Sequence, residues 1–148
     1  MTDERYMLAA LEEARACLST GDIPVGCVIE RDGEIVGRGR NRREGRHDAT
    51  AHAEVEAIRD ASEKLGTWRL SGCTLYVTLE PCPMCAGAII NARVERVVYG
   101  ARDAKAGACG SILDLFWEPF NHRPEVIPGM LADDCAALLR EFFGELRV

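Results

Sequence analysis

Two short motifs in the sequence contain residue types that bind metal ions. Cys82 and Cys85 stand three positions apart in Pro-Cys-Pro-Met-Cys, where Pro83 predicts the start of a helix. Cysteines with this spacing share one face of the helix, and the positive end of the helix dipole favours the thiolate form that binds metal. His52, in His-Ala-Glu, can supply a third ligand. One histidine and two cysteines are a typical zinc set, which leaves the fourth position for water.

Glu54 follows His52 by two residues, a spacing that does not place two side chains on one face of a regular helix. Both side chains can reach one metal ion only where a helix begins, because side chains there lean back over the N-terminus. Glu54 is then expected to hydrogen-bond the water on the metal rather than to bind the metal. The pair therefore predicts a general base beside an open metal site.

Each motif alone has other interpretations. A lone Cys-x-x-Cys is typical of redox or structural zinc sites, and His-x-Glu alone is weakly specific. A closed structural site needs a fourth ligand, such as His47, His122 or another cysteine, and neither histidine has a ligand-like spacing. A thioredoxin-like site leaves His52 and Glu54 unexplained. The two motifs together, each opening a predicted helix, favour the open site.

The elements that must position these residues alternate between helices and strands. Asp32-Gly33 predicts a hairpin turn, and Gly37 and Gly39 predict that another backbone or a ligand approaches the second strand closely. Interleaved helices and strands favour layers packed around a mostly buried sheet. The sequence predicts strands at 23–30, 34–41, 73–78, 94–99 and 125–127, and a polar loop at 42–49. It also predicts four helices: a first helix capped by Thr2, and three more at 50–65, at 83–93 and around 131–142.

Length and composition favour a single domain spanning residues 1–148. The 148 residues are 47% hydrophobic and 28% charged, which is ordinary globular usage and argues against collagen, coiled coil and disorder. No apolar run approaches the roughly 18 residues of a membrane span, and no secretory signal is recognised, so we expect a cytoplasmic protein.

In a cytoplasmic protein, the seven cysteines of the chain do not indicate a disulfide framework. Five of them are expected to pack in the core: Cys17, Cys27, Cys73, Cys109 and Cys135.

The motifs and the segments around them resemble a known family over most of the chain, from Met7 to Phe143. The resemblance is carried by Ile-Pro-Val-Gly at 23–26, Gly-Arg-Asn-Arg at 39–42, and the segments 48–54, 75–88, 100–105, 110–111, 121–123 and 131–135. These segments resemble the zinc-dependent cytidine and deoxycytidylate deaminase superfamily, and within it the bacterial tRNA-specific adenosine deaminases. The resemblance implies a three-layer α/β/α sandwich with a central mixed five-stranded sheet, and a homodimer.

The resemblance also implies the chemistry. It implies one zinc ion per subunit, bound by His52, Cys82 and Cys85, with Glu54 as the proton shuttle. The implied reaction converts adenosine to inosine at the wobble position of an arginine tRNA, so the partner is the anticodon stem-loop. Substrate contacts are implied at Asn41, Arg102, Asp103, His122 and Arg123. Trp117 and Phe120 either stack on splayed bases or close the core.

Positive charge is concentrated beside Asn41. Between residues 38 and 46 there are five arginines and one glutamate, although the chain carries a net charge of −6. The stretch is either a solvated loop or an anion-binding patch. Alternation along the strand predicts that Arg38, Arg40 and Arg42 share one face, with Arg43 and Arg46 in the loop beyond. For phosphate contacts with RNA, the best placed are Arg42, Arg43 and Arg46.

Two other functions remain open from the sequence. A small-molecule deaminase acting on guanine, cytidine or another free nucleoside would have the same zinc site and differ in the pocket walls. A non-catalytic RNA-binding subunit is the second alternative. The presence of Glu54 beside an open metal site argues against that alternative, because such a subunit has no use for a general base.

Overall fold

The computed structural model of the protein describes residues 2–146, and in that range five strands and five α-helices are formed. The strands are β1 (Gly26–Arg31), β2 (Glu34–Arg40), β3 (Thr74–Leu79), β4 (Arg96–Ala101) and β5 (Glu125–Pro128). The helices are α1 (Glu4–Ala16), α2 (Arg43–Arg46), α3 (Ala53–Leu65), α4 (Pro83–Ala92) and α5 (Ala132–Leu146). None of the helices in the described range is long and apolar enough to cross a membrane.

The five strands form one mixed sheet in the order β2-β1-β3-β4-β5, which confirms the expected sheet. Strand β1 runs antiparallel to both β2 and β3, and β3, β4 and β5 run parallel. The carboxyl ends of β2, β3 and β4 therefore meet at one edge of the sheet. The segments that follow these three strands meet there too, which is where ligands bind in open α/β sheets.

Helices cover both faces of the sheet and complete the expected three-layer sandwich. On one face, α1 and α5 pack through residues such as Met7 and Leu138 against Val28, Tyr76 and Val98. The other face, covered by α3 and α4, holds the larger apolar cluster, and the central strands β1, β3 and β4 are largely buried between the two layers.

The predicted close approach at Gly37 and Gly39 is made by the backbone of α3. A Cβ on Gly39 would overlap the carbonyl of Ala53, and one on Gly37 would overlap the carbonyl of Ala57. Any residue other than glycine would push the helix away from β2. The two glycines thus fix the position of the first turn of α3, which carries Glu54.

Several predicted boundaries are wrong by a few residues. Asp3, not Thr2, caps α1, because its carboxylate accepts a hydrogen bond from the N–H of Arg5 at 2.9 Å. The 42–49 segment is not only a loop, since it contains α2. Strand β1 begins at Gly26 rather than at residue 23, because Pro24 has no N–H for the ladder.

The five cysteines predicted for the core are all buried: Cys17, Cys27, Cys73, Cys109 and Cys135.

Candidate active site

A pocket of about 160 Å³ opens at the edge where β2, β3 and β4 end. Its walls come from the segment before β1, the segments after the three strands, and the first turn of α3. The lining residues are Ile23, Val25, Asn41, Arg43, His52, Ala53, Glu54, Leu79, Glu80, Cys82, Asp103 and Ala106. The pocket therefore brings together residues that lie up to 83 positions apart in the chain.

His52, Cys82 and Cys85 form a group that can hold a metal ion, and among residues 2–146 no fourth histidine, cysteine or acid joins it. His52 and Cys82 are the capping residues of α3 and α4, and Cys85 lies in the first turn of α4. The Nδ1 atom of His52 is 3.5 Å from the Sγ atom of each cysteine. A tetrahedral zinc ion with bonds of about 2.3 Å to sulfur and 2.0–2.1 Å to nitrogen requires about the same separation. The donor set and its spacing fit zinc.

The two thiols of this group differ in acidity. The Cys85 thiol donates to the Cys82 sulfur, which lowers the pKa of Cys82 to about 4. That hydrogen bond, together with burial, raises the pKa of Cys85 far above its ordinary value. The hydrogen bond to Cys82 also raises the pKa of His52. Since a metal ion needs both sulfurs as thiolates, its binding releases the proton held on Cys85.

Glu54 lines the same pocket without belonging to the metal-binding group. It is the second residue of α3 and is only 4% exposed. Burial raises the pKa of its carboxyl from the ordinary value to about 7. A carboxyl with this pKa accepts and donates protons near neutral pH, as a general acid and base must.

Asn41 lies in the pocket wall, where the turn after β2 holds it in place. Its Nδ2 donates to the carbonyl of Ile23 at 3.1 Å, and its Oδ1 accepts from the N–H of Arg43 at 3.0 Å. Asn41 is thus both a turn asparagine and a pocket residue. One N–H of its amide and one lone pair of Oδ1 remain for a ligand.

Helix α2 forms the rim of the pocket beyond Asn41 and rests on a buried carboxylate. Oδ1 of Asp22 accepts from the N–H of Glu44 at 2.6 Å, Oδ2 accepts from the Thr20 hydroxyl at 2.7 Å, and both oxygens lie 3.3 Å from the N–H of Gly45. Asp22 thus supplies the acceptors that a short helix lacks at its start. This anchor directs Arg43 toward the pocket.

The prediction that Arg42 shares a face with Arg38 and Arg40 is wrong. Arg38 and Arg40 form ion pairs with Glu13 of α1. The strand ends at Arg40, and the chain then turns into α2, so Arg42 points to the opposite layer. There it pairs with Glu56 of α3 at 4.0 Å, and Arg46 binds the same carboxylate at 2.5 Å. Of the three arginines predicted for phosphate contacts, Arg43 is the one that lines the pocket.

Arg102 and Asp103 follow β4, but the structure places only Asp103 in the pocket wall. Oδ1 of Asp103 accepts hydrogen bonds from the N–H groups of Lys105 and Ala106 at 3.0 and 3.2 Å, which closes a tight turn. Arg102 is exposed and does not line the pocket. Its guanidinium lies near Gly110.

His122 and Arg123 are not brought into the pocket of this chain. Nε2 of His122 donates to the carbonyl of Val94 at 2.7 Å. Arg123 donates to the carbonyl of Trp117 at 2.9 Å, and its guanidinium lies 5.1 Å from the centre of the indole ring. Trp117 and Phe120 are 72% and 53% exposed, so they do not close the core.

The sequence interpretation did not assign several pocket residues to the site. Ile23, Val25, Leu79 and Ala106 give the pocket its apolar walls. Their signal in the sequence is weak, because apolar residues at strand ends are ordinary. Glu80 could have been recognised as a candidate site residue from the sequence, since a carboxylate is unusual at the end of a buried strand.

One histidine and two cysteines at helix starts, with a buried glutamate beside them in one pocket, are the constellation of the zinc-dependent nucleobase deaminases. The chain belongs to the family of MafB19-like deaminases, which matches residues 1–147. It is 50% identical over 146 residues to a tRNA-specific adenosine deaminase of Bacillus subtilis. This alignment covers 98% of this chain and 91% of the relative.

Solved structures show the same fold. The chain resembles the structure of a tRNA:A34 deaminase from a study of A-to-I editing at the wobble position of transfer RNA. The TM-score is 0.89 and the sequence identity 44%, and the match covers 92% of this chain and 99% of that one. A guanine deaminase from Nitrosomonas europaea matches with a TM-score of 0.81 and 30% identity, over 97% of this chain and 85% of that one.

Proposed function

We propose that the protein hydrolyses adenosine to inosine at the wobble position of a tRNA anticodon. The observation that carries the proposal is the single pocket in which the His52, Cys82 and Cys85 group stands beside the buried carboxyl of Glu54. The near-complete match to a tRNA-specific adenosine deaminase supports the choice of substrate. By family resemblance, the tRNA is an arginine tRNA.

His52, Cys82 and Cys85 hold one zinc ion per subunit in this proposal. Zinc bound by such a set lowers the pKa of a water molecule and so supplies hydroxide near neutral pH. Glu54 accepts the proton of the attacking water and delivers it to the purine ring. It then takes the proton of the hydroxyl group formed on the attacked carbon and passes it to the amino group, which departs as ammonia, so adenosine and water become inosine and ammonia. A carboxyl pKa of about 7 suits both the acceptance and the donation.

The remaining site residues hold the substrate. Asn41 has donor and acceptor capacity left for the edge of the extruded base, and Asp103 forms part of the wall beside it. On the rim, Arg42, Arg43 and Arg46 contact phosphates of the anticodon loop. Nucleotides beyond the extruded base are contacted by Arg102, His122 and Arg123, which lie outside the pocket.

The assembly follows from the same resemblance. Residues 1–148 act as one deaminase domain, and two copies form a homodimer. The exposed Trp117 and Phe120 are then available either to bases or to a second subunit. Because its substrate is a tRNA, the enzyme works in the cytoplasm.

Deamination of a free nucleobase is the second candidate. The likeness to a guanine deaminase over 97% of this chain favours it, and the same metal group and glutamate would serve that reaction. The higher identity to the tRNA-specific relative, 50% against 30% for this guanine deaminase and 40% for one from Bacillus subtilis, favours the tRNA substrate.

The test is a substrate panel with the zinc-loaded protein. An arginine tRNA anticodon stem-loop is incubated beside free adenosine, cytidine and guanine, and each product is quantified by mass spectrometry. We expect inosine at the wobble position and no turnover of the free compounds. The same stem-loop with guanosine at that position is the matched control and should remain unchanged. Conversion of guanine without conversion of the stem-loop would establish the second candidate instead.

A further inference from the structure

Glu80 is a buried carboxylate that the proposed reaction does not use. It stands between β3 and the first metal-binding cysteine and is 2% exposed. Its Oε1 accepts hydrogen bonds from the N–H of Asp103 at 3.1 Å and from the hydroxyl of Ser111 at 2.5 Å. Its Oε2 accepts from the N–H groups of Cys109 and Ser111 at 3.0 and 3.1 Å. These four bonds use about all the acceptor positions of a carboxylate.

All four donors belong to one segment, residues 102–111, which we call the Glu80 loop. The loop is packed closely on the carboxylate, because a Cβ on Gly107 would overlap it. The N–H of Ala108 also donates to the carbonyl of Pro81 at 2.8 Å. The loop is thus attached directly to the residues that precede the metal-binding helix.

The Glu80 loop contributes Asp103 and Ala106 to the pocket wall. We propose that Glu80 is a positioning residue: its carboxylate holds the loop so that these two residues shape the base pocket, and it thereby sets the rate of deamination. This inference rests on the proposed function. Glu80 also lines the pocket, but both of its carboxylate oxygens accept hydrogen bonds from the loop, so in this inference it acts through the loop.

The chemistry of the contacts requires a carboxylate at this position. Every group that faces Glu80 in the loop is a donor, so both oxygens must accept. Glutamine has nearly the same shape, but its amide nitrogen would face donors instead of accepting from them. No lysine or arginine in the described part of the chain forms an ion pair with Glu80, so the N–H groups and the hydroxyl of the loop stabilise its buried charge.

Three variants test the inference. Glu80→Gln keeps the shape and removes the second acceptor, and Ser111→Ala removes one hydroxyl donor. Leu138→Ala is the control, because Leu138 is buried in the opposite layer and its loss lowers stability without touching the loop. For each variant we would measure zinc content, the single-turnover rate at saturating stem-loop, stem-loop affinity, and hydrogen exchange of the backbone amides of Asp103 and Cys109, all well below the melting temperature.

We expect Glu80→Gln to reduce the rate at saturation by at least about tenfold, because a small displacement of a pocket wall is costly. Its loop amides should exchange faster, while zinc stays near one per chain. Ser111→Ala should shift the rate and the exchange in the same direction by a smaller factor. Leu138→Ala should lower the melting temperature and leave the rate of the folded enzyme unchanged.

The inference is overturned if Glu80→Gln lowers only the melting temperature, as the control does. If Glu80→Gln does not fold, Ser111→Ala decides: a wild-type rate with wild-type exchange overturns the inference. A wild-type protein that binds zinc but does not deaminate the stem-loop would refute the proposed function. Faster loop exchange in Glu80→Gln would in that case still support Glu80 as the anchor of the loop.

Discussion

The floor and the rim of the pocket are held in place by different physical means. We call the first the metal floor, formed by His52, Glu54, Cys82 and Cys85, and the second the arginine rim, formed by Arg42, Arg43 and Arg46. Floor residues project from the first turns of two helices packed on the sheet, and main-chain contact at Gly39 fixes one of these turns. Rim residues belong to a four-residue helix and to the turn before it.

The rim has much weaker restraints on its side chains. Arg46 is half exposed and shares the carboxylate of Glu56 with Arg42. Ion pairs of this kind contribute about 0–1 kcal/mol each. From this contrast we expect the proposed chemistry to depend on the floor in an all-or-none manner, and the rim to change RNA affinity in small steps. Substitutions in the two regions should therefore differ in kind as well as in size.

The largest effect is expected for Cys82→Ala in the metal floor. The change removes one of three ligands, so the protein should lose both zinc and deaminase activity. Zinc is measured by elemental analysis and activity by inosine formation in the stem-loop. Full activity in this variant would mean that the metal-binding interpretation of the motif is wrong.

Glu54→Ala should separate catalysis from metal binding within the floor. Because Glu54 stands outside the metal-binding group, zinc should remain near one per chain. Turnover should fall by at least about 100-fold, since the proton shuttle is lost. The same two assays measure both outcomes, with Cys82→Ala as the comparison. Loss of zinc from Glu54→Ala would show that the glutamate is itself a ligand.

Glu54→Gln should change the pH dependence of stability in the metal-free protein. Burial raises the pKa of Glu54 from 4.5 to about 7, so the fold disfavours its charged form. The resulting penalty is absent below pH 4.5, grows as the pH rises toward 7, and is complete above pH 7. Relative to wild type, Glu54→Gln should therefore gain about 3 kcal/mol in the free energy of unfolding between pH 4 and pH 8. Urea unfolding at both pH values measures it, and an equal difference at both would contradict the shift.

The smallest effects are expected on the arginine rim. Each lost phosphate contact should reduce the slope of log affinity against log salt by about 0.7 for a single-stranded region. We expect the full change for Arg43→Ala and a smaller one for Arg46→Ala, because Arg46 already binds Glu56. Stem-loop affinity at several salt concentrations measures both slopes, and zinc content should not change. Unaltered slopes in both variants would identify the stretch as a solvated loop.

Much of the fold could be predicted because its signals are local. Alternating elements, the Asp32-Gly33 turn and Pro83 at a helix start follow from short-range preferences, and each is found in the structure. The errors lie at boundaries and in short elements. Helix α2 was missed because four residues carry no periodic pattern, and its start depends on Asp22, some 20 positions earlier.

The residues of the metal floor could be predicted from the sequence, because Cys82 and Cys85 share one helix face and His52 and Glu54 stand at the start of a second helix. Which arginines face the pocket could not be predicted, since that depends on where β2 ends and on Glu13 and Glu56 in two different layers. The position of Arg102, His122 and Arg123 outside the pocket of this chain likewise follows only from the folded structure. Glu80 shows the physical reason most clearly. Its four hydrogen-bond donors lie 23 to 31 residues further along the chain, and no local pattern reports contacts that form only when the strands pair.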